Sequence, residues 1–184
     1  MSGVRGSTTG RVITGVSGSP GSLRALRFAA DIARTHDAVL IPALAWVPPG
    51  GDLADRRYPS AYLRKIWTEA AAERLAEAVD LAFGGVPADV VVRPAILRGE
   101  AARVLVTVAN EPGDVLVVGA GRRGGIRRMS SGGVARFCLA HAGCPVIAVP
   151  PSGLEEASRG LRGWALRHRS LDPRAAALHA AGSR

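Results

Sequence analysis

Aromatic side chains are scarce here: Trp, Tyr and Phe make up only 4% of the 184 residues. Proteins that hold single-stranded nucleic acid stack its bases on interleaved aromatics. The basic C-terminal stretch has one aromatic, Trp164, so nucleic acid is not an expected partner. Lysine is scarcer still. Lys65 is the only one, so 23 of the 24 basic residues are arginine. Cys138 and Cys144 are the only cysteines. They are too few for a disulfide scaffold and lack the pairing of a zinc site, so buried, reduced thiols are expected. No apolar run approaches the roughly 20 residues that span a bilayer, and no membrane partner is expected. Residues 1–10 lack the apolar core of a signal peptide. They are expected to be disordered, in a cytoplasmic protein.

The chain is rich in small and branched aliphatics. Its hydrophobic fraction is 47%, carried by Val, Leu, Ile and Ala, which suits a parallel sheet covered by helices. The net charge of +9 is uneven. Five arginines and no acid lie between Gly121 and Arg136. The stretch from Pro151 onward holds six arginines against Glu155, Glu156 and Asp172. Arg5 adds one more, and the remaining 12 bases meet 12 acids. A uniformly basic surface would suggest nucleic acid. This distribution points to a local anion site and a basic tail, although biased composition alone accounts for arginine-rich tails equally well.

Apolar runs alternate with helical periodicity. Val12–Val16 is β-branched and ends in Ser17-Gly18-Ser19-Pro20-Gly21-Ser22. Ser19 suits a helix cap and Pro20 its first position, where a missing N–H costs nothing. Leu23, Leu26, Phe28, Ala29, Ile32 and Ala33 recur at helical spacing to about His36. Ala38–Val47 reads as a second strand, and residues 50–59 as a mobile, turn-rich loop. Ser60 caps a helix through Ala82 whose inner face is Leu63, Ile66, Trp67, Ala70, Ala71, Leu75, Ala78 and Val79. Asp89–Ile96, Val115–Val118 and Pro145–Val149 read as strands, with helices after Gly99 and over Ala135–Ala142. The pattern predicts an α/β fold: a five-stranded parallel sheet with helices on both faces. It occupies residues 11–150, and residues 151–184 form a basic extension. Leu161, Trp164 and Leu166 suggest a docked segment there.

Ligands of such sheets sit at the carboxyl ends of the strands, where strand order reverses. Two glycine-rich loops are predicted there, Gly15–Ser22 and Gly119–Gly133. In the second, Gly124, Gly125, Gly132 and Gly133 permit close backbone approach. Amides opening a helix bind phosphate, Ser130 and Ser131 add hydroxyls, and Arg122, Arg123, Arg127 and Arg128 suit bidentate contacts. A solvated surface loop has the same composition. No Walker loop is present. Gly119, Gly121 and Gly124 spell a dinucleotide spacing, but after a late strand and with no acid about 20 residues on.

Val117-Val118-Gly119, a twelve-residue loop, Gly132-Gly133-Val134 and His141-Ala142-Gly143-Cys144-Pro145-Val146-Ile147-Ala148-Val149 together resemble the universal stress protein family. Thr14–Pro20 resembles that family's first strand and turn, and Ala45–Pro49 the end of its second strand. The resemblance covers about Arg11 to Pro150. It implies a Rossmann-like, adenine nucleotide alpha hydrolase-like sandwich, and a homodimer often formed through the last strand. Some members bind ATP through Gly-x2-Gly-x9-Gly-Ser/Thr. Gly119 and Gly132 match the first and third glycines. Arg122 stands at the second, and Gly133 at the Ser/Thr position. Ser17 stands where the family carries an adenine-site aspartate. The resemblance sets Gly15, Ser17, Ala45, Val118, Gly119, Arg122, Gly124, Gly132, Gly133 and Val134 against an adenine nucleotide, with ATP and its magnesium the ligand to test.

No catalytic constellation is evident. No His is matched to a serine nucleophile, and His36 and His141 read as helix-end residues. Glu69, Glu73, Glu77 and Asp80 form a solvated helix face. The expected function is a dimeric, nucleotide-binding stress-response regulator rather than an enzyme, with slow nucleotide hydrolysis left open. The alternative is a nucleotide-free interaction module whose arginine loop and tail bind an acidic partner.

Overall fold

The computed structural model describes residues 10–121 and 132–152. The chain divides after Pro150 into two units, and the first carries all the described strands and helices. Strand β1 (Arg11–Gly15) leads to helix α1 (Pro20–His36) and strand β2 (Val39–Trp46). Helices α2 (Gly51–Arg57) and α3 (Ala61–Phe83) precede the short strand β3 (Ala95–Arg98). Helix α4 (Ala101–Val108), strand β4 (Asp114–Gly119), helix α5 (Gly132–His141) and strand β5 (Val146–Val149) complete the order.

All five strands are parallel, in the order β3-β2-β1-β4-β5. Helices α1 and α3 cover one face of the sheet. Val12, Leu26, Leu40, Leu75 and Val117 make the core there. Helices α4 and α5 cover the other, around Ile13, Leu105, Leu116 and Cys138. The period of two along β1 sends Val12 to one core and Ile13 to the other. Each fully buried Leu or Ile contributes about 2 kcal/mol of burial free energy, and no large aromatic is needed. The result is the five-stranded parallel α/β fold that the sequence pattern predicts, of the Rossmann-like kind that the family resemblance implies.

Local signals set most boundaries. The Ser19 hydroxyl accepts from the Ser22 amide at 3.3 Å, with Pro20 opening α1. Ser60 caps α3 by accepting from the Leu63 amide at 3.3 Å, and Gly84 ends the helix at a φ of 73°. Arg27 adds a tertiary cap: its guanidinium donates to the carbonyls of Leu81 and Ala82, both at 2.9 Å. Those are last-turn carbonyls with no helical donor of their own.

Five sequence expectations need correction. Residues 50–59 are not simply a loop, because α2 forms within them. Arg98 holds the helix in place by donating to Asp52 at 3.1 Å and to the buried Asp55 at 2.7 Å. The third strand is shorter and later than predicted. Its apolar run begins with only an isolated bridge between Val92 and Leu40, since Pro94 interrupts pairing. Leu63 and Ile66 are not on the inner face of α3. They are 42% and 39% exposed, because α3 buries only Ala71, Leu75, Ala78 and Val79, from its middle onward. The last helix also starts earlier, at Gly132. Gly10 is ordered against the sheet, its carbonyl accepting from the Val39 amide at 2.9 Å. The rest of the N-terminus and the docked tail segment lie outside the described residues.

Candidate nucleotide site

Strand order reverses between β1 and β4. From β1 the chain crosses to β2 on one side, while β4 and β5 lie on the other. Ligands of parallel α/β sheets sit at such a reversal point, beside the loops that leave the carboxyl ends of the strands. Gly15, Ser17, Val118 and Gly119 all lie at these two ends, and α5 begins at Gly132-Gly133-Val134 on the return from β4.

Gly119 marks the closest approach of the two loops. A Cβ on Gly119 would lie 2.9 Å from the Gly21 carbonyl oxygen and 3.0 Å from its carbon. Both contacts are to backbone, so neither can rotate away. The end of β4 thus runs directly against the first turn of α1, and any side chain at 119 would wedge them apart. Gly15 is tight in a different way. Its Cβ would meet the Leu105 Cδ1 at 2.8 Å, a side-chain tip on the opposite face. Gly133 has nothing within 4 Å of where its Cβ would stand, so it is free of packing demands.

Three serines line the start of α1. The Ser17 hydroxyl lies 3.1 Å from that of Ser19 and 3.3 Å from that of Ser22. The Ser22 hydroxyl is buried. It donates to the Ser19 carbonyl at 2.9 Å and accepts from the Ser17 amide at 3.2 Å. Ser17 and Ser19 are exposed and present neutral hydroxyls at the reversal point. The first turn of α1 has no acidic residue, so its positive end is uncompensated.

Ala45 sits one residue inside the end of β2, beside Leu97 of β3, a strand away from the reversal point. Val134 is half-buried on α5 and packs into the core under that helix. Arg122 and Gly124 lie outside the described residues, as do Arg123, Arg127, Arg128, Ser130 and Ser131. The sequence reading missed the cluster beyond Ala45. Trp46 and Trp67 pack with ring centroids 6.1 Å apart, and Arg98 sits 5.9 Å over Trp46. Hydrogen bonds to Asp52 and Asp55 raise the Arg98 pKa. Acids at positions 52 and 55 of one short helix were the available sequence signal.

Among the described residues, no group of three His, Cys, Asp or Glu side chains could hold a metal. Burial pushes the thiols of Cys138 and Cys144 up, which keeps them unreactive. His141 stacks on Phe137 at 4.1 Å, with Nδ1 2.9 Å from the Phe137 carbonyl. It is a helix-end residue, as expected. None of the described helices is long and apolar enough to cross a membrane.

The model of the universal stress protein family matches residues 8–150. The universal stress protein of Lactobacillus plantarum is 22% identical over 76% of this chain and 97% of its own, with a TM-score of 0.54. That of Archaeoglobus fulgidus is 20% identical over 77% of this chain and 98% of its own, at 0.53. A structure of the Archaeoglobus fulgidus universal stress protein in complex with dAMP is 21% identical over 77% of this chain and 97% of its own, at 0.50. No curated protein matches the chain.

Proposed function

The chain belongs to the universal stress protein family, and on that premise we propose that it is a dimeric, stress-response regulatory protein that binds an adenine nucleotide, with ATP the first to test. The observation that carries the reading is the reversal of strand order between β1 and β4, with Gly119 at the end of β4 packed against the Gly21 backbone. Ligands of parallel α/β sheets occupy that reversal point. A relative of the same fold is known in complex with dAMP.

At this site the roles divide by chemistry. The Ser17 hydroxyl hydrogen-bonds the base or ribose, a neutral contact where a carboxylate would fix a base N–H. Gly119 lets the end of β4 close against the first turn of α1 and so sets the spacing of the two loops. The amides of Gly132 and Gly133 at the start of α5 face the phosphates, and the neighbouring arginines neutralise them. Magnesium would accompany ATP as the counter-ion of its phosphates. In this reading the protein acts by binding the nucleotide, with slow nucleotide hydrolysis left open.

The dimer forms along β5. That strand ends the sheet, with no strand on its outer side among the described residues. Its sequence, Val-Ile-Ala-Val, carries no charge. An uncharged open edge is a template for another strand, and a second copy satisfies it with two-fold symmetry.

Isothermal titration of the full chain with ATP, ADP and AMP at millimolar concentration tests the ligand. Binding is expected, and Gly132→Val is expected to remove it. No heat with any of the three would overturn the nucleotide reading and leave the acidic-partner alternative.

A further inference from the structure

The amino-terminal half of α3 carries apolar side chains that the fold leaves outside. Tyr62, Leu63 and Ile66 are 72%, 42% and 39% exposed. Leu53 of α2 and Tyr58, between the two helices, are 76% and 82% exposed. Asp55 of α2 pairs with Arg64 of α3 at 3.4 Å, which holds α2 beside the start of α3. All five side chains therefore belong to one corner of the domain. Apolar residues exposed singly are ordinary, but a concentration of them marks a contact surface.

Charge along this segment is sorted by sign. Residues 56–68 hold four bases, Arg56, Arg57, Arg64 and Lys65, and no acid. Residues 69–80 hold four acids, Glu69, Glu73, Glu77 and Asp80, against the single base Arg74. Arg64 is held by Asp55, and Lys65 pairs with Glu69 at 3.8 Å. Arg56, Arg57, Glu73 and Glu77 have no partner of opposite charge among the described residues. Tyr62, Ile66, Glu69, Glu73, Glu77 and Asp80 recur at spacings of three and four, so they share one stripe of α3. Arg74 lies about 100° round the helix from Glu73.

The sorting selects the partner. An anionic membrane or an acidic peptide is drawn to Arg56 and Arg57 but repelled by the acids along the same stripe. A surface that is basic at one end and acidic at the other is complemented by its own inverted copy. A two-fold axis at Ile66 runs two α3 helices antiparallel. Tyr62 then stands opposite the partner's Ala70, a small residue that leaves room for the ring. The partner's Glu73, about 10 Å along the helix from the axis, is carried toward the end of α2, where Arg56 and Arg57 lie. Apolar residues occupy the centre of such a contact and charges its rim.

We propose that the α2–α3 corner binds a second copy of the chain by antiparallel packing of α3. Tyr62, Leu63 and Ile66 form the centre, and Arg56 and Arg57 meet the partner's Glu73 and the partner's Glu77. The contact shares no residue with β5 and does not rest on the β5 dimer. A chain that uses both surfaces assembles beyond a dimer.

Sedimentation velocity of the full chain over a concentration series tests it. The carbonyls of Pro145 and Val149 bond inward, to the amides of Leu116 and Ala120. The Ala148 amide therefore faces outward, and Ala148→Pro blocks the β5 edge alone. That variant is expected to remain a dimer. Adding Ile66→Glu is expected to raise its Kd at least about ten-fold, with circular dichroism unchanged. Arg56→Glu with Arg57→Glu is expected to weaken the dimer similarly, and adding Glu73→Arg with Glu77→Arg to restore it. Ile66→Glu alone is expected to halve the largest species that wild type forms, and it decides the matter where Ala148→Pro does not fold. A folded Ala148→Pro protein that sediments as monomer overturns the proposal, as does a dimer indifferent to Ile66→Glu. A monomer that co-sediments with phosphatidylserine vesicles, and loses them on Ile66→Glu, assigns the patch to a membrane and also overturns it.

Discussion

Replacing Gly119 by alanine adds one methyl group at the tightest backbone contact of the candidate site. Its Cβ would stand 2.9 Å from the Gly21 oxygen and 3.0 Å from the Gly21 carbon, about half an ångström or more inside ordinary contact. Both atoms belong to the first turn of α1, which is anchored by the Ser19 cap and the buried Ser22. The strain therefore moves a helix end or a strand end rather than a side chain. Overpacking of this kind costs about 1–3 kcal/mol. For a domain of this size that is a fall in Tm of about 2–4 °C per kcal/mol. Two glycines serve as internal references. At Gly15 the added methyl meets the Leu105 Cδ1 at 2.8 Å, and a leucine tip yields more cheaply than backbone. At Gly133 nothing lies within 4 Å, and a helical glycine-to-alanine change is neutral or slightly stabilising. Urea unfolding followed by circular dichroism should rank the losses as Gly119→Ala above Gly15→Ala above Gly133→Ala. Gly119→Ala should also weaken nucleotide binding. A Gly119→Ala protein as stable as Gly133→Ala would refute the contact between β4 and α1, and with it the geometry of the candidate site.

Three further outcomes concern buried polar groups and their partners. The Thr14 hydroxyl is fully buried with no hydrogen-bond partner, so Thr14→Val keeps the shape and should stabilise by about 1 kcal/mol in urea unfolding. Asp114 is buried, and burial alone pushes its carboxyl up. Hydrogen bonds from Arg11 and the amides of Glu111 and Asn110, with the Arg11 charge, outweigh that and hold it below the usual carboxylate range. Its folded pKa is depressed, so its stabilisation is present above the unfolded value and lost as pH falls below about 4. Asp114→Asn should cost about 2–3 kcal/mol at pH 7, by removing one partner of a largely buried ion pair, and should flatten the acid limb of the stability curve. Arg98→Ala should speed amide exchange across 51–57 while leaving Tm nearly unchanged, because Arg98 ties α2 to the sheet through Asp52 and Asp55.

Sequence pattern and structure agree where a local cause was sufficient. Ser19-Pro20, Ser60 and Gly84 each carry their helix boundary in one or two side chains. Strands β1, β2 and β4 announce themselves as apolar runs because both faces are covered. Pattern fails where distant partners decide. Helix α2 has no apolar stripe and forms where Arg98, more than forty residues away in sequence, draws in Asp52 and Asp55. Leu63 and Ile66 repeat at core spacing, yet α3 fully buries side chains only from Ala71 onward.

Residue order by itself determined that five parallel strands would alternate with helices, and that glycine would follow the first and fourth strands. Apolar periodicity and capping chemistry act within a few residues, so they survive without a partner. It also placed Gly119 at a glycine-rich loop, where phosphate contact or a solvated surface turn were the available reasons for a glycine. Tertiary structure supplied another: Gly119 is bare because the backbone of Gly21 stands 2.9 Å from its missing Cβ. It also showed that Ala45 lies a strand away from the reversal point, and that Phe28 is 42% exposed instead of in the core. These depend on which strands become neighbours, a relation between residues a hundred positions apart that no local pattern encodes.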